Sequence, residues 1–351
     1  MTFSHLFHLA FILFGALGFA CRVLFLDGYD LYAVPSDKWT NGNGANNNDL
    51  TGTKARTGIG CGVIDGVLAP SYALGATVGP IYQGAAMMVT NINGGGKPCS
   101  FRQGGNIVCS LNINSDGSVN IRSSGGFSSP NSAPNLVQNN TYAYFELSCS
   151  LSGNVVTATA RVNGFVVLTG VTYSVGGSTN FDSVYPEGPG GGATGYIDDL
   201  YICDGTGGVN NGFLGAVRIY SGTPVADSTP LDWTTSTGTT HYVLVNEIPP
   251  DNGTTFVSDN VVGDQDQYLH ATGSPPVGDK ILAVQHCIDL NLAESGSRQV
   301  SSCINGTPHG AATITTTFHI YTQPYDVNPV TGTSWKIADF ATLPIGVDVT
   351  A

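Results

Sequence analysis

Two adjacent acids inside an apolar strand are the residues of this sequence best placed to do chemistry. Asp198 and Asp199 interrupt the run YIDDLYIC at residues 196–203. Because side chains alternate along a strand, one carboxylate must point to the less exposed side, where it needs hydrogen-bond donors or a cation. One interpretation is a calcium site completed by loop acids such as Asp182 or Asp204. The other, favoured because EF-hand ligand spacing is absent, is an aspartate that accepts backbone or tyrosine hydrogen bonds.

Four of the eight cysteines are candidates for disulfides. Cys99 and Cys109 lie symmetrically about Gly104 in one predicted hairpin, and such positions face each other across antiparallel strands. Cys287 and Cys303 are placed in the same way in a second predicted hairpin, ILAVQHCIDLNLAESGSRQVSSCI. The alternative is that all eight are small buried hydrophobic residues.

The motifs of common catalytic and cofactor sites are missing from the sequence. Its seven histidines show no HExxH or clustered Cys/His spacing, and no GxSxG occurs. A glycosidase needs two carboxylates across a cleft, whereas Glu146, Glu187, Glu247 and Glu294 are far apart in sequence. The segment PEGPGGGATG (186–195) lacks phosphate-binding glycine spacing and predicts a flexible loop. We therefore predict a protein that is not an enzyme, with no cofactor apart from the calcium considered above.

Composition favours an all-β fold and argues against nucleic-acid binding. The 351 residues include 47 glycines, and only 11% are charged. No capped amphipathic helix is recognisable after residue 22. The net charge of -13 comes mainly from aspartates spread through predicted loops, and no basic stripe exists to neutralise phosphates.

The clearest predicted element is a three-strand meander from Tyr142 to Val171. In its first strand Phe145, Leu147, Cys149 and Leu151 alternate with polar positions, which predicts one face on a core and one toward water. Asn163-Gly164 then predicts a tight two-residue hairpin turn, because both central residues of a type I′ turn need positive φ.

Three segments are expected along the chain. Residues 1–21 form an apolar leader, either signal-like or a spurious extension, since no Lys or Arg precedes Arg22. Residues 22–205 read as a first β-sandwich, and residues 206–351 as a second sandwich or jelly roll. The turn-rich segment DGTGGVNN (204–211) is the best candidate boundary between them.

The order of elements in residues 22–205 resembles the concanavalin A-like (laminin-G-like) jelly roll. The resemblance rests on the opening FLDGYD, the Asp116-Gly117 hairpin, the meander and the closing YIDDLY. With NNGFLGAVRIYS, FVSDNVVGDQDQY and the final TGTSWKIADFATLPIGVDV, nearly the whole chain resembles a group of tailed-bacteriophage virion proteins. The resemblance implies a virion component on the head or tail surface that touches host glycans.

We therefore expect a two-domain, all-β, non-enzymatic virion structural protein, homo-oligomeric in the particle, whose partners are other virion proteins and a host-surface glycan. The second interpretation is a secreted lectin-like adhesin that uses loops of the first domain, and the third is a glycan hydrolase. For the lectin, Trp39, Trp233 and Trp335 could offer a sugar-stacking surface, or they could be core residues.

Overall fold

The protein is described by a computed structural model that covers residues 7–14, 22–40, 48–65, 70–273, 275–276, 278–293 and 296–351, without the side chains of 7–14 and 65. These residues form strands, turns and short 3₁₀-helices, and no α-helix occurs among them. The all-β class predicted from composition is confirmed. Within these ranges there is no helix with the length and apolarity needed to span a membrane.

In chain order the strands are β1 (Phe7–Phe14), β2 (Arg22–Asp27), β3 (Asn48–Asp49), β4 (Cys61–Asp65), β5 (Tyr72–Thr77), β6 (Ile81–Val89), β7 (Cys99–Gln103), β8 (Asn106–Ile113), β9 (Val119–Arg122), β10 (Ala143–Ser152), β11 (Val155–Val162), β12 (Phe165–Ser174), β13 (Phe181–Val184), β14 (Thr194–Asp204), β15 (Arg218–Gly222), β16 (Pro224–Leu231), β17 (Thr234–Thr235), β18 (Val257–Ser258), β19 (Gln265–His270), β20 (Lys280–Leu290), β21 (Gln299–Ile304), β22 (Thr307–Thr313), β23 (His319–Tyr325) and β24 (Ile345–Val349). The 3₁₀-helices are Pro35–Asp37, Ile92–Gly94, Tyr242–Leu244 and Ile337–Ala341.

The chain divides into two compact units. Among the described residues, the first sandwich contains those of 22–29 and 33–218, and the second contains those of 7–14, 30–32 and 219–351.

The division at residue 218 lies beyond the predicted boundary at 205. The intervening segment belongs to the first sandwich because its backbone satisfies buried side chains there: the N–H of Leu214 donates to the hydroxyl of Tyr201 (3.1 Å), and that of Gly215 to Oε1 of Glu146 (2.7 Å). Within the predicted leader, β1 is a strand that pairs antiparallel with β20. Residues 1–6 and 15–21 of the leader lie outside the described residues.

The first sandwich is a jelly roll made of two antiparallel sheets. One has the order β12-β11-β10-β6-β14-β4-β3, with β2 also paired to β14, and the other has the order β5-β13-β7-β8-β9. Apolar side chains on strands of both sheets, such as Phe101, Leu111, Phe145 and Leu147, are fully buried. Gln83 of β6 links the sheets, since its Nε2 donates to the carbonyl of Pro98 and its Oε1 accepts from the N–H of Ser100.

The predicted meander is present as β10, β11 and β12. Val162 pairs with Phe165 across the Asn163-Gly164 turn, whose φ values of 50° and 83° are those the turn requires. The prediction of a water-facing side is wrong at Tyr144 and Glu146, which are buried. Residues 213–217, far along the sequence, cover this side of the sheet, as the hydrogen bond from Gly215 to Glu146 illustrates.

The strand register differs from the one that suggested a Cys99–Cys109 pair. The hairpin turns at Gly104-Gly105, since Gln103 pairs with Asn106, and a β-bulge between Phe101 and Arg102 shifts the pairing by one more residue. Cys99 therefore lies opposite Leu111, and Cys109 lies opposite Phe101. Every described cysteine is a buried free thiol, the arrangement expected of small core residues.

The second sandwich also corrects a predicted hairpin. Its sheets have the orders β15-β1-β20-β23 and β16-β19-β24-β21-β22, so Cys287 on β20 and Cys303 on β21 lie in different sheets. The turn that does form is Asn305-Gly306, with φ values of 49° and 77°, which pairs β21 with β22. Its core joins both sheets and includes Tyr268, Leu290 and Val347.

Candidate functional site

Asp198 and Asp199 hold a neighbouring loop in place. The Oδ2 of Asp198 accepts from the backbone N–H groups of Arg56 (2.7 Å) and Thr57 (3.0 Å). The Oδ2 of Asp199 contacts the guanidinium of Arg56 and accepts from the hydroxyl of Thr57 (2.9 Å). Both acids are fully buried, at a β-bulge where Asp199 has a φ of 51°.

The acids suggested to complete a calcium site there have partners of their own. Asp182 accepts from the N–H of Gly104 (2.6 Å), and Asp204 pairs with Arg22 (2.9 Å). Among the described residues, no group of three or more His, Cys, Asp or Glu is arranged to hold a metal ion. Calcium binding by Asp198 and Asp199 stays a prediction.

The tryptophans are core residues. Trp39, Trp233 and Trp335 are exposed by only 1%, 2% and 3%. None of them can therefore stack on a ligand at the surface of its sandwich.

A polar cleft lies on the face of the second sheet that points away from the core, over the β8–β9 hairpin. Along the hairpin Leu111, Ile113, Val119 and Ile121 are buried in the core. The intervening positions are all polar: Ser110, Asn112, Asn114, Ser118, Asn120 and Arg122. Because Ile113 pairs with Val119 across the turn at Gly117, these polar side chains share one face.

Four of the polar side chains of this face form a continuous hydrogen-bonded ladder: Asn114, Ser118, Asn120 and Arg122. Arg122 donates through Nε to Oδ1 of Asn120 (3.1 Å) and through Nη2 to Oδ1 of Asn114 (3.0 Å). The amide of Asn114 in turn donates to the hydroxyl of Ser118 (3.0 Å), and that of Asn120 to Asn131 (3.3 Å). Arg122 and the two asparagines are thereby fixed in orientation before any ligand arrives.

Two loops form the walls of the cleft. The backbones of Lys97 and Glu187 exchange two hydrogen bonds of 2.8 Å, and the N–H of Gly190 donates to the carbonyl of Gly94 (2.8 Å). A Cβ at Gly94 would lie 2.4 Å from the oxygen of Gly190, so this close approach requires glycine. The glycine-rich segment predicted to be a flexible loop is thus packed against the facing loop.

The cleft has two lobes, of about 590 and 300 Å³. Gly94, Gly95, Ile113 and Arg122 border both. Asn93, Asn131 and Asp116 line the larger lobe, and Lys97 and Glu187 line the smaller.

Positive charge is concentrated at the smaller lobe. One oxygen of Glu187 contacts Lys97 and the other contacts Arg102, while the carboxylate itself is almost completely buried. Burial lowers the pKa of Lys97, and the positive charges of Arg102 and Arg122 lower it further. In a chain of net charge -13, three cations are grouped here, and only Lys97 and Arg102 contact the carboxylate of Glu187.

The cleft can therefore offer carboxamide, guanidinium and ammonium groups to a polar ligand. Sequence reasoning missed it, although the strict polar alternation from Ser110 to Arg122 was the available signal. The alternation predicts a hairpin with one polar face. It does not predict which distant segments lie beside that face.

No protein-family model and no curated protein sequence matches the chain. Solved structures with local similarity include a galectin from Caenorhabditis elegans (15% identity, 40% of this chain and 93% of that one, TM-score 0.29). The catalytic domain of a glycoside hydrolase family 131 protein from Coprinopsis cinerea is 14% identical (55% and 98%, TM-score 0.36).

A third similar structure is the CBM40 of a Ruminococcus gnavus IT-sialidase bound to α2,3-sialyllactose, which is 15% identical (43% and 91%, TM-score 0.28). At these similarities the three structures assign neither a family nor an activity to the chain.

Proposed function

We propose that the first sandwich binds a carbohydrate non-covalently in the polar cleft. The observation that carries this proposal is the prearranged ladder of the cleft floor, in which the buried Asn120 and the partly exposed Asn114 hold the exposed Arg122. Sugar hydroxyls both donate and accept hydrogen bonds, and carboxamides and guanidinium groups complement them. Because the ladder is already ordered, little side-chain entropy is lost on binding.

Binding without hydrolysis is the second part of the proposal. Glycoside hydrolysis needs one carboxyl group to protonate the leaving oxygen and a second carboxylate opposite it. In the cleft, both oxygens of Glu187 contact cations. Hydrogen bonds from Ser118 lower the pKa of Asp116, which makes it a poor proton donor.

The resemblance to virion proteins implies a further role in assembly. One feature of the surface supports this role. β12 is the terminal strand of its sheet and exposes Phe165 and Val166 by 76% and 53%. Such an apolar edge strand favours contact with another protein chain. We propose that the protein is a homo-oligomer on a virion surface beside other virion proteins, and the alternative is a secreted lectin.

Mass spectrometry of purified virions tests that location. Stoichiometric peptides of this chain support it, and their absence from particles, with the protein in the medium, contradicts it.

A glycan array followed by titration calorimetry tests the carbohydrate proposal. Replacing Asn114 or Asn131 by alanine removes cleft-lining hydrogen-bond groups, and each substitution should weaken binding of the best array ligand about three- to tenfold. Asn154→Ala, at an exposed turn outside the cleft, is the matched control and should bind like the wild type. Failure to bind any glycan would refute the proposal, and release of sugar during the titration would refute the absence of hydrolysis.

A further inference from the structure

The charge of the cleft narrows the class of sugar that fits it. Only 12 of the 351 residues are Lys or Arg, yet Lys97, Arg102 and Arg122 are grouped here. Glu187 contacts the first two and supplies one negative charge between them. Arg122 takes part in none of the salt bridges of the described residues, and both of its bonded acceptors are neutral amide oxygens.

The positions of these cations suit an anionic group of a bound sugar. Arg122 borders both lobes of the cleft and is exposed, so its guanidinium is accessible to a ligand. Asn114 and Asn120 hold it from one side, and its Nη1 makes no hydrogen bond with any described residue. Lys97 lines the smaller lobe, with its side chain 28% exposed.

Besides Glu187, the one acid among the described residues that lines the cleft is Asp116. It lies in the larger lobe, where it accepts hydrogen bonds from the N–H and hydroxyl of Ser118 (2.9 and 2.6 Å). The smaller lobe thus has an excess of positive charge. An anion placed there makes hydrogen bonds in which donor and acceptor carry opposite charges, and these are stronger than the bonds that a neutral hydroxyl accepts from the same cations.

From this juxtaposition we infer that the cleft selects sugars that carry an anionic group, a carboxylate or a sulfate, and that Arg122 is the residue that recognises it. The inference rests on the proposed carbohydrate binding and specifies its ligand. The rest of the sugar lies over the asparagines of the larger lobe.

Calorimetry with a matched pair of oligosaccharides tests the inference. One ends in glucuronic acid and the other in glucose, so the two differ only by a carboxylate in place of a hydroxymethyl group. The wild type should bind the acidic sugar about tenfold or more tightly than the neutral one. Raising NaCl from about 50 to about 500 mM should reduce that preference, because salt screens charges in an open cleft. Sulfated and carboxylated array spots distinguish the two kinds of anion.

Variants at Arg122 separate charge from folding. Arg122→Gln should abolish the preference for the acidic over the neutral sugar, and Arg122→Lys should restore part of that preference. Lys280→Gln makes the same change in net charge at an exposed residue that does not line the cleft, and should retain the preference.

Equal affinity of the wild type for both sugars would overturn the inference but leave the proposed carbohydrate binding intact. Binding of neither sugar, nor of any array glycan, would overturn both.

Discussion

The buried histidine of the second sandwich gives a quantitative prediction about acid stability. His270, on β19, is only 3% exposed, and among the described residues neither ring nitrogen has a hydrogen-bond partner of good geometry. Its ring lies 6.3 Å from that of His286. Burial lowers the pKa of His270 from 6.5 to about 3, because protonation would place a charge in the protein interior.

His270 binds a proton more readily in the unfolded chain than in the folded chain. The unfolded chain binds the proton at its ordinary pKa of 6.5, whereas the folded chain binds it only near 3. Stability supplied by neutral His270 is therefore present above about pH 6.5 and is lost as the pH falls toward 3. At about pH 5 the loss amounts to about 2 kcal/mol, since each pH unit below 6.5 costs about 1.36 kcal/mol.

A second group in the same sandwich acts in the opposite direction. Burial raises the pKa of Asp266 to about 6, although hydrogen bonds from Tyr268 and His241 oppose the rise. Its contribution to stability is complete below about pH 3.8 and is lost as the pH rises through 6. The wild-type pH profile therefore combines both effects, and the contribution of His270 has to be isolated by substitution.

His270→Leu removes the titrating ring and keeps an apolar side chain in the core. Urea unfolding at about pH 7 and pH 5 measures the free energy of unfolding of each protein. In a Trp39→Phe background, the fluorescence of Trp233 and Trp335 reports only on the second sandwich. We expect acidification to destabilise the wild type about 2 kcal/mol more than the leucine variant. The same pH dependence in both would show that His270 is not a buried neutral group and would refute the reasoning.

Two further predictions concern buried ion pairs of the first sandwich. Asp199→Asn removes the charge opposite Arg56 and should lower the free energy of unfolding by about 3 kcal/mol in denaturant melts. Millimolar calcium should leave the wild-type melting temperature unchanged, whereas a clear rise that is lost in Asp199→Asn would identify Asp199 as a metal ligand. Lys38→Met leaves the Asp27 carboxylate buried without its cation and should lower the free energy of unfolding by about 3–5 kcal/mol. Adding Asp27→Leu should recover much of this loss. Equal stability of Lys38→Met and the wild type would contradict the prediction.

Local sequence patterns predicted the strands because their causes are local. The alternation from Phe145 to Leu151 follows from the two-residue repeat of a strand, and the Asn163-Gly164 turn follows from the positive φ that both residues tolerate. The same rules apply at Asn305-Gly306, where the turn sets the pairing of β21 with β22. Composition likewise predicted the absence of α-helices, since capped amphipathic patterns were missing.

The sequence did not reveal which strands become neighbours across long separations. Symmetric spacing suggested that Cys287 faces Cys303, but β20 and β21 enter different sheets. Alternation also placed Glu146 on a face without showing that residues 213–217 would cover it. Such pairings depend on the summed burial of many side chains, which no short window contains.

The sequence and the tertiary structure each determined a different part of the candidate cleft. The sequence by itself determined that Asn112, Asn114, Asn120 and Arg122 share one face of a hairpin, because the turn length and the strand repeat fix it. Only the tertiary structure placed Lys97 and the loop of Glu187 beside that face, since the two are 90 residues apart in the chain. Distant segments came together there because their backbones hydrogen-bond at glycines small enough to permit the approach.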